Sequence, residues 1–303
     1  MRTIVVSASD DNYLPVAKGL WLSLRGIPDV DLGFVDFGHS DETLAWFSEN
    51  APDTVIRRLP DHIDEMAERL QRQYYHRALL LRPYLPDIYP DYECIIWIDS
   101  DAWVQEHSTI GLFRDAVRSR PDSVALTPVL DVTYYPLFDF PGKFIDENVT
   151  PVYEAFYGAS IAQEFRYRPI LACGTFAMHR DCALWHRWRK EVERLYERRS
   201  EVPTNIFHVA DQTAFNYLAY TSGLYTLLDA RHSYLANVGR LHRGASGKVE
   251  TVGPEARTIG IIQISDIVNR GLATKYLEEG LLFERGDYLS KQDHKRLSSI
   301  VRP

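Results

Sequence analysis

Short apolar runs alternate with amphipathic stretches along most of the chain. Thr3 to Ser9 ("TIVVSAS") is β-branched and apolar and predicts a first strand. A polar loop, "DDNYLP", follows. Val16, Leu20 and Leu24 then fall at helical spacing, and Gly26 gives that helix an end. "VDLGFVDFG" predicts a second strand turning at Gly38, "DETLAWFSEN" a short helix capped by Ser40 or Asp41, and "TVIRRLP" a third strand. Helical periodicity runs from His62 to about Leu85, with Pro83 and Pro86 closing it. "ECIIWID" is apolar without a break from Cys94 to Ile98, the pattern of a strand buried on both faces.

Strands that alternate with helices predict an α/β fold with a mainly parallel sheet. The second half is less regular. "SVALTPVL" and "ILACGTFAMH" read as strands, "CALWHRWRKEVERLYERR" and "HVADQTAFNYLAYTSG" as helices, and "TIGIIQIS" as a late strand. Between them, residues 128 to 169 are rich in proline and aromatics and read as one long irregular connection, the kind that often forms a binding loop or lid. No repeat or linker divides the chain. It is expected to be a single domain over 1–303, with residues 1–125 as a ligand-binding half and 126–303 as a variable half.

Composition narrows the class. At 45% hydrophobic and 25% charged residues the chain is an ordinary globular sequence. A net charge of -8 and a pI near 5.7 speak against a nucleic-acid binder. No apolar run nears the roughly 20 residues that span a bilayer. The N-terminus turns polar too early for a signal peptide, and Cys94, Cys173 and Cys182 lack metal-site spacing. Reduced thiols in a cytoplasmic protein are the expectation.

Chemistry enters where the apolar runs stop. In α/β sheets ligands bind beyond the carboxyl ends of the strands. Two polar loops sit there: Asp10, Asp11, Asn12 and Tyr13 after the first strand, and Asp99-Ser100-Asp101 after the fourth. Two carboxylates so close crowd their charge unless a cation lies between them. Hard oxygen ligands suit Mg²⁺ or Mn²⁺, which also bind substrate phosphates. The same D-x-D also reads as turn chemistry, with each acid capping the next element. A metal-using site has two readings. One is a phosphohydrolase, whose further lysine and acidic pair are missing here. The other is a transferase that acts on a nucleotide sugar.

Four segments come in order: "ASDDNYL" (Ala8 to Leu14), "IIWIDSDAWV" (Ile95 to Val104), "ACGTFAMH" (Ala172 to His179) and "ADQTAFN" (Ala210 to Asn216). Together they resemble the GT-A glycosyltransferases of the glycogenin and lipopolysaccharide galactosyltransferase group, called family 8, over roughly residues 3 to 270. The resemblance implies a Rossmann-like, mainly parallel sheet flanked by helices, with a less regular C-terminal acceptor-binding region. It implies retaining transfer of a sugar from a nucleotide-sugar donor, with uridine as the base, to a hydroxyl acceptor such as a glycan, assisted by Mn²⁺ or Mg²⁺. No nucleic acid and only transient membrane contact are expected.

The resemblance also places residues. Ala8, Asp10 and Tyr13 match the nucleoside loop, with Tyr13 stacking on the base. Arg82 matches a basic residue facing the donor, and Arg77 is its rival. Asp99 and Asp101 match metal ligands, with Ser100 against the ribose. Cys173 and Gly174 match a loop touching the donor sugar, and Asp211 and Gln212 the pair beside the reacting carbon. Each has a plainer alternative. Tyr13 could pack on the next helix, Arg82 could be a solvated helix-end charge, Gly174 could relieve crowding in a strand, and Asp211 could only cap a helix. The family's third metal ligand is a late His in an H-x-x-G-x-x-K-like segment. Here Gln263 stands in that place, with Arg270 near the expected Lys. His242 with Lys248 has the right internal spacing but falls early. The third ligand is therefore Gln263, His242 or none. A degenerate transferase fold that only binds its ligand is the non-enzymatic alternative.

Overall fold

A computed structural model of the chain describes residues 1–11, 13–69, 75–134, 144–207, 209–236, 238–239, 241–252 and 255–264. Among these, seven strands form one sheet in the order β3-β2-β1-β4-β7-β6-β8. They are β1 (Thr3–Ser9), β2 (Asp31–Asp36), β3 (Thr54–Arg58), β4 (Cys94–Ile98), β6 (Val124–Pro128), β7 (Leu171–His179) and β8 (Tyr225–Leu227). β1 runs parallel to β2 and β4, β2 to β3, and β6 to β8, whereas β7 is antiparallel to both β4 and β6. The expected mainly parallel α/β sheet is present.

Both faces of this sheet are covered, which explains the unbroken apolar character of β4. Ile95 and Trp97 face one cluster, formed with the Leu184–Glu197 and Ala210–Ser222 helices. Cys94, Ile96 and Ile98 face the other, formed with the Leu14–Leu24 and Ser108–Ser119 helices. Alternate residues of a strand point to opposite faces, so a doubly covered strand needs no polar position.

A smaller sheet hooks onto the end of β4. It holds β5 (Ala102–Val104), β12 (Ile261–Gln263) and β9 (Tyr234–Leu235). β12 is antiparallel to β5, with Gln263 opposite Ala102. This pairing carries a residue from the far end of the described chain to the D-x-D turn. A separate hairpin joins β10 (Leu241–Arg243) to β11 (Val249–Thr251).

Several local expectations need correction. The helical stretch from His62 is not closed by its prolines. It comprises Asp61–Arg69, Tyr75–Leu81, a turn at Arg82–Tyr84 and Leu85–Ile88, and Pro83 and Pro86 occupy first-turn positions, where a missing N–H costs nothing. Ser40 precedes the Asp41–Asn50 helix, but its side chain does not cap it; the Asp11 carboxylate accepts from Ser40 N–H instead. The irregular connection of 128–169 holds a π-helical turn at Ile145–Val149 and helices at Thr150–Tyr157 and Ala159–Phe165. Pro151 again sits in a first helical turn, so a helix starts inside the segment that reads as irregular. Phe138, Phe140 and Arg270 lie outside the described residues. No helix among the described residues is long and apolar enough to cross a membrane.

Candidate functional site

Parallel pairing of β1 with β4, in the register Val6 to Trp97, sets their two carboxyl-end loops side by side. Asp10 starts the loop after β1. Its carbonyl accepts from Tyr13 and Leu14 N–H and its carboxylate Oδ1 from Tyr13 N–H at 2.7 Å, so it opens the helix that follows. Tyr13 then reaches across: its hydroxyl donates to Asp101 Oδ2 at 3.2 Å. Asp11, not assigned a role above, ties this loop to the next helix through Thr43 Oγ1 at 2.6 Å. Ala8 and Ser100 are both buried beside these loops.

Asp99 is the most constrained residue of the site. Its N–H donates to Gly174 C=O at 2.7 Å. Its Oδ1 accepts from Trp97 Nε1 at 2.6 Å and from Arg82 Nη2 at 2.6 Å. Arg82 Nη1 donates in turn to Asp211 Oδ2 at 2.7 Å. Arg82 is 5% exposed and Asp211 2%, so this is a buried arginine bridging two acids rather than a solvated helix-end charge. Burial opposes the guanidinium charge, but Asp99 and Asp211 outweigh it and hold the Arg82 pKa above its ordinary range. Burial lifts the Asp211 carboxyl, against the pull of Arg82. Cys173 lies beside the same charges, and burial pushes its thiol well up, which keeps it unreactive. Arg77 pairs with Asp64.

Gly174 leaves room that a side chain would fill. A Cβ there would lie 3.0 Å from Asp99 Oδ2 and 3.4 Å from Gln263 Oε1. Gln263 is 1% exposed, and its Nε2 donates to Thr175 Oγ1 at 2.7 Å and to Gly174 C=O at 3.2 Å. Ile264 N–H donates to the Asp101 carbonyl, which closes the small sheet onto the turn. Asp99 Oδ2 and Gln263 Oε1 thus face the space at Gly174, with Asp101 in the adjoining turn, and these hard oxygen donors fit Mg²⁺ or Mn²⁺. No group of three His, Cys, Asp or Glu residues that could hold a metal exists among the described residues. His242 lies on the β10–β11 hairpin, with Nε2 3.8 Å from Glu250. The structure brings Gln263, not His242, to the two acids.

Gln212 follows Asp211 at the start of the Ala210–Ser222 helix and lines a cavity of about 350 Å³. Val149, Pro151, Tyr153 and Ile170 form much of the opposite wall. Among the described residues the Gln212 side-chain amide makes no hydrogen bond, while its neighbour Asn216 is fully engaged with Leu171 and the Gln212 carbonyl. Of the described aromatics in the 128–169 connection, which reads as a binding loop or lid, Tyr134, Tyr153 and Phe156 are buried, and Tyr157 stacks on Tyr217 at 4.1 Å. Tyr134 and Tyr153 belong to small cores and Phe156 to the main one, and of these four only Tyr153 also lines the cavity.

Comparison with solved structures shows which fold this is: that of the GT-A glycosyltransferases. A galactosyltransferase, LgtC, in complex with donor and acceptor sugar analogues shares 15% identity over 97% of this chain and 100% of its own, with a TM-score of 0.61. Mouse xyloside xylosyltransferase 1 shares 14% over 87% of this chain and 97% of its own, at 0.53. The bifunctional glycosyltransferase WbbM shares 13% over 93% of this chain and 51% of its own, at 0.52. No protein-family model and no curated protein sequence matches the chain.

Proposed function

We propose that this protein is a metal-assisted glycosyltransferase that moves a sugar from a nucleotide-sugar donor, with uridine as the base, to a hydroxyl acceptor. The observation that carries this reading is that Asp99 and Gln263 face the space at Gly174 while the adjoining Asp101 meets Tyr13 of the β1 loop. The fold is one built around nucleotide-sugar chemistry in the glycosyltransferases it resembles.

In this reading Asp10 and Tyr13 hold the nucleoside, with the Tyr13 ring against the base, Ala8 lining its seat and Ser100 beside the ribose. Asp99, Asp101 and Gln263 would hold a divalent cation, which would supply positive charge next to the diphosphate leaving group. Cys173 and Gly174 border the donor sugar, and the lack of a side chain at Gly174 lets sugar and phosphate approach β7. The free amide of Gln212 lies beside the reacting carbon and faces the cavity where a glycan or other hydroxyl acceptor enters. Asp211 is a poor nucleophile here, because its Oδ2 is held by Arg82 and it is out of solvent. Retention by double displacement needs a free carboxylate. The better route is front-side: the acceptor oxygen bonds to the anomeric carbon as the carbon–phosphate oxygen bond breaks, and the acceptor proton passes to that phosphate oxygen. Buried, unbridged Cys94, Cys173 and Cys182 suit a reducing compartment, and we propose a cytoplasmic setting.

Thermal shift with UDP, GDP, CDP and TDP, each with and without Mn²⁺, tests the reading. A nucleotide at ~100 times its dissociation constant adds about 2.7 kcal/mol. One nucleotide should stabilise the protein, more so with Mn²⁺, and Asp101→Ala should abolish the metal-dependent part. No shift with any of the four sinks the proposal. Release of UDP from a UDP-sugar without acceptor separates an enzyme from a pure binder, and cleavage of a generic phosphomonoester would favour a phosphohydrolase.

A further inference from the structure

Trp97 is a core residue whose one polar atom is committed to the site. It is 1% exposed and lies opposite Phe176 in the β4–β7 pair. A buried indole N–H needs an acceptor, and here it is Asp99 Oδ1 at 2.6 Å. The two residues are two apart on extended chain, so their side chains leave the same face. Arg82 Nη2 donates to the same oxygen at 2.6 Å, and its guanidinium carbon lies 5.3 Å from the Trp97 ring centroid. Both in-plane lone pairs of Oδ1 therefore have partners. Oδ2 receives neither of these bonds. It is the oxygen turned toward the space at Gly174, where Gln263 Oε1 also points.

We infer, resting on the donor-site reading above, that Trp97 is a positioning residue: it makes Asp99 a one-oxygen metal ligand and so sets the site to prefer Mg²⁺ and Mn²⁺ over Ca²⁺. Calcium takes about six to eight oxygens and readily draws both oxygens of one carboxylate, whereas the smaller Mg²⁺ demands an octahedron that one oxygen per carboxylate fits well. To offer both oxygens, Asp99 would have to break a charge-assisted bond from Arg82 and leave a buried indole N–H unpaired. Donors behind a ligand fix its orientation in this way. Gln263 adds a single neutral oxygen, and Asp101 Oδ2 is engaged by the Tyr13 hydroxyl at 3.2 Å, so neither readily supplies the extra carboxylate oxygen that Ca²⁺ draws.

The test uses the full chain with UDP present and no acceptor, so that binding is read without turnover. Mn²⁺ binding is followed by the electron paramagnetic resonance of free Mn²⁺, and Mg²⁺ and Ca²⁺ by competition. In the wild type, Ca²⁺ should compete more weakly than Mg²⁺. Trp97→Phe keeps a ring under Arg82 and removes the N–H. It should weaken Mn²⁺ ~10-fold and Ca²⁺ less, so the ratio of their dissociation constants narrows. Phe176→Leu loosens the same core without touching Asp99 and should leave the ratio unchanged. If Trp97→Phe does not fold, β-(3-benzothienyl)alanine at position 97 keeps the two-ring shape without the N–H and should narrow the ratio equally. An unchanged ratio in the variant that folds overturns the inference, as does a wild type that binds Ca²⁺ as well as Mn²⁺. A wild type that binds no Mn²⁺ with UDP overturns the donor-site reading itself, and this inference with it.

Discussion

Arg82 and Asp211 stand 129 positions apart in sequence and meet at 2.7 Å, with almost none of either side chain in solvent. Arg82 also holds Asp99, so one cation balances two acids inside the protein. Removing one member of such a group leaves the other charges buried and uncompensated, which typically costs about 3–5 kcal/mol. Arg82→Met should lower the unfolding free energy by that order in urea titrations. The double variant Arg82→Met, Asp211→Leu should recover part of the loss, because one stranded carboxylate is gone. A single variant as stable as the wild type would mean that the bridge does not form.

Gly174 carries a different kind of constraint. An added methyl would lie 3.0 Å from Asp99 Oδ2, against an acid already held on its other oxygen by Trp97 and Arg82. The acid has nowhere to retreat. Gly174→Ala should cost about 1–3 kcal/mol by overpacking and abolish the Mn²⁺-dependent part of nucleotide stabilisation. Calorimetry with and without Mn²⁺ reads both. Full retention of the metal effect would show that the space at Gly174 is not used.

Much of this site was legible because the fold puts polar residues where apolar runs end. The run from Cys94 to Ile98 announced a strand with both faces covered, and the acids after it stood out for that reason. The pairing of Arg82 with Asp99 and Asp211, and the choice of Gln263 over His242, needed the third dimension: each depends on strand order and on β12 folding back along β5. Trp97 was hidden because a core tryptophan and a positioning tryptophan look alike in sequence. The helices at Thr150–Tyr157 and Ala159–Phe165 were missed because proline and aromatics were read as breaks, although a first-turn proline favours a helix start. Identities of 13–15% to proteins of the same fold show how few positions the architecture fixes.

In the proposed donor site Gln263 would be a third oxygen donor where an imidazole is absent. Divalent transition metals gain more from imidazole than Mg²⁺ does. Gln263→His should therefore raise Mn²⁺ affinity, by ~10-fold if the ring nitrogen reaches the other ligands, and change Mg²⁺ affinity little. The Mn²⁺ resonance titration with UDP decides it. Equal effects on both metals would place Gln263 outside the coordination shell.

Gln212 presents a free amide to the cavity, next to an acid that is not free. If it stabilises charge at the reacting carbon, Gln212→Ala should lower kcat ~100-fold or more while the KM for the donor barely moves. A loss confined to KM would make it a ground-state contact. An unchanged rate would remove it from the chemistry.

Asp36, at the end of β2 opposite Ser9 of β1, should set an acid-side limit on stability. Its Oδ1 accepts the N–H of Gly38 at 2.8 Å and of His39 at 2.7 Å, and lies 2.7 Å from His39 Nδ1. Burial alone would raise its pKa, but these contacts outweigh burial and hold it below its ordinary value of 3.8. A carboxylate whose pKa is lower in the folded protein adds stability that is fully present above the free value and disappears as pH falls through the folded one. Asp36→Asn should thus cost about 1–3 kcal/mol at neutral pH, the size of a carboxylate's lost hydrogen bonds. The gap between variant and wild type should narrow as pH falls below 3.8 and through the lower folded value, as the wild-type acid is itself protonated. Urea midpoints from pH 7 down to pH 2.5 follow the gap, and a difference that stays constant across that range would assign the loss to packing instead of charge.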